Sequence, residues 1–302
     1  MIKVEVQKYN FTFKVMKKIQ LPDYSGSVLR GHFGNQLRRT VCLTKQATCD
    51  NCPLIKRCSY GRLFENINDR IFIHPYIIEP LPYKTNFINE NKDFTFSMIL
   101  IGDAIEDLSL ITFIWSKVFS IGFKHRDNIG FAELTMISLD SGEIIYDKED
   151  ENPIIRDHNQ YISLTEKNYN SVTIKMITPL RIQTTNDYGK SIILGQENFT
   201  IKEFVKSLIR RVKILKEYLN LDFPIYDINE FQDITMITNN IKFTSTKRFS
   251  SKQKAEMEFY GLLGEFELNG DSLAKLSLIL ELCQYLHIGK STTFGFGKYK
   301  II

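Results

Sequence analysis

Apolar residues in this chain recur at period two, then at three to four, then at two again, and the whole succession runs twice from end to end. That order limits the fold more than any single motif, because the spacing of buried positions decides strand against helix. Phe11, Phe13 and Val15 alternate as in a half-buried strand that stops near Pro22. A helix follows, with Ser25 or Ser27 as cap and Val28, Leu29, Phe33, Leu37 and Val41 on one face. After a cysteine-rich loop, IFIHPYII (71–78) and FTFSMILIG (94–102) read as strands. Asp103 opens an apolar helix carrying Leu108, Ile111, Trp115 and Phe119, and FAELTMISL (131–139) closes the first half. The Asp/Glu-rich segment 141–170 reads as a connector.

The second half repeats the order. SVTIKMITPLRI is a strand, Thr200 and Glu203 form a capping box before FVKSLIRRVKILKEYL, strands follow around 232–247 and 257–268, Leu273 to Leu286 is a helix, and TFGFGKYKII is the last strand. Each half is β-α-β-β-α-β, the ferredoxin-like unit. The expectation is an α+β protein of two tandem ferredoxin-like (RRM-like) domains, at 1–145 and 165–302, with the cysteine-rich insertion (42–58) in the first. At 302 residues, 43% hydrophobic and 25% charged, such cores are affordable, and disordered or fibrous classes are excluded. No apolar run approaches the roughly 18 residues of a membrane span, and the first residues alternate like a strand, so a cytoplasmic protein with no membrane partner is expected.

A net charge of +4 is too weak to imply a polyanionic partner. Its distribution says more: Arg30 to Arg70 holds eight basic residues against three acidic, and Lys242 to Glu256 five against one. Two local basic surfaces follow, each equally readable as a solvated face.

Cys42, Cys49, Cys52 and Cys58 are spaced C-x6-C-x2-C-x5-C, within 17 residues. A CxxC pair turns two thiolates onto one ion, and four sulfurs complete a tetrahedral shell with no open position, so the ion would be structural. Zinc is favoured, an iron–sulfur cluster accepts the same ligands, and free thiols are the alternative; disulfides do not suit a chain with no export signal. Such an ion would tie Lys56, Arg57 and Arg62 to the first helix. Cys283 reads as core.

The carboxy terminus places Gly289, Gly295 and Gly297 beside Lys290 and Lys298, a glycine-rich loop at 289–297. It reads equally as a helix cap followed by bulges, or as a phosphate cradle of bare amides and lysines.

LRGHFGNQLRR (29–39), the cysteine loop running into CSYGRLFE (58–65), ITPLRI (177–182) and HIGKSTTFGFGKY (287–299) occur in that order. Together they resemble the CRISPR precursor-RNA-processing endoribonucleases of the repeat-associated mysterious protein (RAMP) superfamily, here with a four-cysteine insertion. The resemblance implies tandem ferredoxin-like domains, a glycine-rich loop, and cutting within CRISPR repeats with no catalytic metal. In that chemistry the 2′-hydroxyl attacks the adjacent phosphorus, leaving a 2′,3′-cyclic phosphate and a 5′-hydroxyl, while a histidine moves protons and cations hold the developing charge.

The family's histidine in the first helix points to His32 as first choice, followed by His287 beside the glycine motif and His125 in a basic connection; His74 and His158 read as structural or surface. Arg30, Arg38, Lys290 and Lys298 are the phosphate-contact candidates, with Gly289, Gly295 and Gly297 as the close-approach backbone. The expected partners are repeat RNA, before and after processing, and subunits of a CRISPR effector complex. Two rival readings stand: a noncatalytic RNA-binding subunit of such a complex, and a cysteine-metal DNA-binding or redox-sensing regulator, which lacks a helix-turn-helix signature.

Overall fold

A computed structural model describes residues 1–65, 73–185, 189–238, 240–250 and 255–302, as backbone alone at 238, 246–250 and 255–257. The chain forms two compact units, Glu5–Tyr161 and Ile162–Ile302, the latter taking in Met1–Val4.

The first unit contains β1 (Ile2–Lys17), α1 (Gly26–Val41), α2 (Ser59–Phe64), β2 (Tyr76–Glu79), β3 (Asp93–Ile101), α3 (Leu108–Ser120), β4 (Phe123–His125), β5 (Asn128–Leu139) and β6 (Ile144–Asp147). Strand β1 is central. It pairs antiparallel with β3 at Tyr9↔Met98, Phe11↔Phe96 and Phe13↔Phe94, and with β5 at Tyr9↔Leu139 and Phe11↔Ile137. The sheet order is β2-β3-β1-β5-β4, the ferredoxin-like order extended by a short hairpin strand, with β6 pairing β5. Alternation sends Tyr9, Phe11, Phe13 and Val15 to the covered face with Phe94, Phe96 and Met98.

Helices α1 and α3 close that face. Trp115 of α3 stacks on Phe33 of α1 at 5.1 Å and meets Phe96 edge-on at 4.6 Å, a geometry that adds to the burial of these rings. The predicted stripe of α1 is present: Leu29, Phe33 and Leu37 are buried and Val41 half-buried. Gly34 has a separate purpose, because a Cβ there would meet the Phe64 ring of α2 at 2.2 Å. Asp107, the residue before α3, binds Arg62 at 2.7 Å and so fixes α2.

The second unit contains β7 (Ser171–Leu180), α4 (Ile201–Leu219), β8 (Thr235–Thr238), β9 (Lys242–Ser250), β10 (Ala255–Asn269), α5 (Leu273–Leu286) and β11 (Tyr299–Ile301). Its order, β8-β10-β7-β11, is again ferredoxin-like, with β9 pairing β10 from Lys242↔Leu263 to Ser250↔Ala255. Thr200 Oγ1 accepts from the Glu203 N–H at 3.4 Å and caps α4, but this is half of the expected capping box, since the Glu203 carboxylate pairs with Lys206 at 2.9 Å.

Several boundaries differ from expectation. Within 71–78 only Tyr76 onward is strand, and 71–72 lie outside the described residues. Gly102–Asp107 is a 3-10 turn, so α3 begins at Leu108 rather than Asp103. The connector contains two strands, Ile144–Asp147 and Tyr161–Leu164. TFGFGKYKII contributes a strand only at Tyr299–Ile301, because Ser291, Gly295 and Gly297 take positive φ and turn the chain before it.

Candidate functional site

Two of the five histidines belong to the first helix and the hairpin strands near it. His32, on α1 one residue from the buried Phe33, is half-buried and stacks on Phe123 of β4 at 4.3 Å, which in turn stacks on Phe119 at 5.1 Å. Its Nε2 lies 2.8 Å from the Lys124 carbonyl oxygen. A carbonyl only accepts, so Nε2 carries the proton and Nδ1 holds the lone pair of the neutral ring. Burial pulls the His32 pKa below the ordinary histidine value, and the Arg39 guanidinium adds to this against the carbonyl's opposite pull. The imidazole is therefore neutral at neutral pH.

Residues Phe123–His125 and Asn128 onward form a hairpin whose two-residue turn is Arg126-Asp127, with Arg126 at φ 52°. His125 is half-buried; its pKa is lowered by burial first, then by Arg126 and His32. The two imidazoles thus feel each other's charge. Arg39, whose charge acts on His32, and Arg126, whose charge acts on His125, are exposed beside them, and a phosphate arriving here would meet these two solvated cations; Lys124 meets His32 through its backbone carbonyl. The sequence shows both basic stretches, but their separation between α1 and a distant turn hides their proximity.

His74 sits elsewhere in this unit. It neighbours Phe64 and Tyr76, and burial followed by the nearby Arg30 charge lowers its pKa to about 4. Arg30 lies over the Phe64 ring at 4.3 Å, close enough to His74 and Tyr76 for its charge to act on both, so this expected phosphate contact is built into an aromatic nest. Arg38 also departs from the phosphate role: its Nη2 donates to the carbonyls of Gln46 and Ala47, at 2.5 and 2.9 Å, and buckles the cysteine loop to α1. His158 accepts at Nε2 from the Tyr9 hydroxyl and donates from Nδ1 to the Arg156 carbonyl, a structural seat as the sequence implies.

The four cysteines occupy successive local turns. Cys42 caps the end of α1 with its N–H on Arg38 O, the Cys52 N–H returns to Cys49 O at 3.1 Å, and the Cys58 carbonyl accepts from Arg62 N as α2 begins. All four are half-buried, free of disulfides, and line one cavity of about 260 Å³ together with Arg38, Thr44, Arg57 and Tyr60. Thr44 Oγ1 lies 3.9 Å from Cys42 Sγ and 3.6 Å from Cys52 Sγ, and Cys49 feels the charges of Cys42 and Cys52. Among the described residues no three His, Cys, Asp or Glu side chains already converge on one metal point.

In the second unit the glycine-rich loop is built from internal bonds. His287 ends α5 at φ 53°, is 0% exposed, and donates from Nδ1 to Phe296 O at 3.0 Å. Arg211 of α4 donates to Leu286 O at 2.8 Å beside it, a role the sequence gave no sign of. The Lys290 N–H goes to Arg181 O at 2.7 Å, the Gly295 N–H to Thr292 O at 2.7 Å and the Gly297 N–H to Pro179 O at 2.9 Å. A Cβ on Gly297 would meet Ile288 O at 1.8 Å, and one on Gly289 would meet Arg181 O at 2.4 Å. Two expectations are corrected: a sealed His287 cannot touch RNA, and the amides of Gly295 and Gly297 are spent on the chain itself. What the loop offers outward is Lys290, exposed, and Lys298, half-exposed, near the half-buried Arg181, whose guanidinium lies over Phe259 at 5.0 Å.

Two β-α-β-β-α-β units with strand order 2-3-1-4 define a tandem ferredoxin-like protein, here with a glycine-rich turn after the last helix and a histidine on the first. Residues 4–160, more than half of the chain, match the AF_1859_N N-terminal domain model, and residues 174–299 match the model of the CRISPR-associated endoribonuclease Cas6. The chain belongs to the family of the AF_1859_N N-terminal domain, and its second half is similar to the CRISPR-associated endoribonuclease Cas6. An uncharacterized protein of Archaeoglobus fulgidus is 19% identical over 292 residues, spanning 93% of this chain and 92% of its own. A Cas6 product complex shares the fold with a TM-score of 0.60 at 14% identity, covering 98% of this chain and 100% of that one. A partial Cas6-RT-Cas1–Cas2 complex gives 0.59 at 13%, covering 99% of this chain and 46% of its counterpart. No described helix is long and apolar enough to cross a membrane.

Proposed function

We propose that this protein cuts CRISPR precursor RNA inside its repeats, without a metal ion at the reaction centre, using the ribose 2′-oxygen as nucleophile. The single observation that carries this reading is the seat of His32: a neutral imidazole held at Nε2, its Nδ1 lone pair left over, beside exposed Arg39 and the Arg126 turn. The Nδ1 lone pair takes the 2′-hydroxyl proton as the O2′–P bond forms. Arg39 and Arg126 offset the charge on the phosphorane, the P–O5′ bond breaks, and the 5′-oxygen leaves with a proton, for which His125 is the nearest second imidazole. The products are a 2′,3′-cyclic phosphate and a 5′-hydroxyl. Lys290, Lys298 and Arg181 contact backbone phosphates, an interaction that weakens with salt. Repeat RNA is the substrate and the processed RNA the product, with subunits of a CRISPR effector complex as further partners.

The test is incubation with repeat RNA in excess chelator. Cleavage at one site, abolished by a 2′-deoxy sugar just upstream and leaving a cyclic phosphate, is expected. A tight complex that stays uncut would overturn the catalytic reading in favour of a noncatalytic RNA-binding subunit.

A further inference from the structure

The cysteine loop has no part in that chemistry, yet its geometry is unlike an ordinary surface loop. Four half-buried thiols from four separate turns line a single cavity, and the cavity joins the end of α1 to the start of α2. Leu43 and Leu54 stand exposed at 81% and 42% beside it, so little apolar packing holds the segment. Half-buried thiols with little apolar cover do little for a fold, whereas a cation held by four thiolates closes such a loop outright.

We propose that Cys42, Cys49, Cys52 and Cys58 hold a structural zinc ion that clasps α2 to α1. The charge balance favours it. Four thiolates on a divalent ion leave a net charge of about two negative, and Arg38 and Arg57 line the same cavity, with Lys45 and Lys56 exposed nearby. Thr44, in reach of both Cys42 and Cys52, supplies a hydroxyl that donates to a coordinated sulfur. Closing the shell requires the sulfurs to turn inward about their side-chain torsions, which the open, half-exposed seats leave room for. With the ion in place the Arg38 bonds to Gln46 O and Ala47 O are locked, and the helix that carries His32 is stiffened from its far end. The ion touches no substrate.

The full chain, purified without added metal, is expected to carry about one zinc per chain. Exchange with cobalt(II) is expected to give the intense thiolate charge-transfer absorption of a tetrahedral sulfur site. Cys49→Ser with Cys52→Ser is expected to lose the metal and lower the melting temperature by several degrees, while Cys283→Ser, deep in α5, keeps the full metal content. If the double variant fails to fold, metal content and the cobalt spectrum of the unaltered chain still decide the matter. Stoichiometric iron with visible absorption assigns an iron–sulfur cluster and overturns the zinc. Absence of any bound metal, with a melting temperature indifferent to zinc and to chelator, overturns the site altogether.

Discussion

Two corners of this molecule carry a histidine, glycines and cations, and they use them in opposite ways. Around His32 the ring is half-exposed, bonded through one nitrogen to the Lys124 carbonyl, with solvated Arg39 and Arg126 nearby. Around His287 the ring is sealed, and the loop's donors are returned to its own carbonyls. The first corner leaves exposed cations and one ring nitrogen outside its hydrogen bond to the chain; the second consumes its polar groups to hold a backbone shape. A motif rich in glycine and histidine therefore says that a backbone must pass closely by something, and the neighbouring carbonyls decide whether that something is a ligand or the chain.

The sharpest way to break this comparison is to delete each ring. His32→Ala is expected to lower the single-turnover cleavage rate by about 10²- to 10⁴-fold while RNA affinity and the melting temperature hold; full activity would remove the histidine from the chemistry. His287→Ala is expected to act on stability instead, by roughly 2–4 kcal/mol, since it leaves a cavity and strips Phe296 O of its donor. A urea titration checks this, and a stable His287→Ala with slow cleavage would reverse the assignment of roles. Gly297→Ala follows in size. Its φ of 75° and the 1.8 Å approach to Ile288 O predict a loss of more than about 1 kcal/mol, read from the same titration.

Electrostatics give a finer test. Because burial and Arg39 hold the His32 pKa below the ordinary value, the base form dominates at neutral pH, and cleavage should fall only as pH drops through that lowered pKa. Arg39→Gln should move the acid limb of the rate profile to higher pH, since one cation opposing protonation is gone. An unmoved limb would mean that another group titrates.

How much of this was legible beforehand differs between fold and site. The fold was carried by period: Phe11, Phe13 and Val15 alternate, Leu29, Phe33 and Leu37 recur, and local spacing is what burial on one face requires. The site was legible only in part. His32 sits off the centre of a clear stripe, so its half-exposure could be read, but Lys124 and Arg126 reach it from 92 and more residues away through a hairpin turn. Pairing across such distance leaves no periodic trace. The glycine loop misled for a different reason: sequence shows that amides can approach something closely, and only the coordinates show that Pro179 and Thr292 already receive them. Arg30 and Arg38 misled similarly, since a cation reads as solvated until an aromatic ring or a carbonyl is found beneath it.

His74 supplies the smallest effect and a third case between the two corners, buried but with no role in the loop or the chemistry. Its folded pKa of about 4 lies below the unfolded value of 6.5. Between those values the unfolded chain binds the extra proton and the folded one does not, so stability rises with pH there. The contribution is complete above about 6.5 and drains away as pH falls toward 4. Partial exposure of the ring screens it, which keeps the expected change modest. Urea midpoints at pH 7 and pH 5 should therefore drop further for the unaltered chain than for His74→Phe, which has no proton to gain. Equal drops would place the acid sensitivity in other groups, and with it the claim that Arg30 and the aromatic nest, rather than solvent, set this ring's charge.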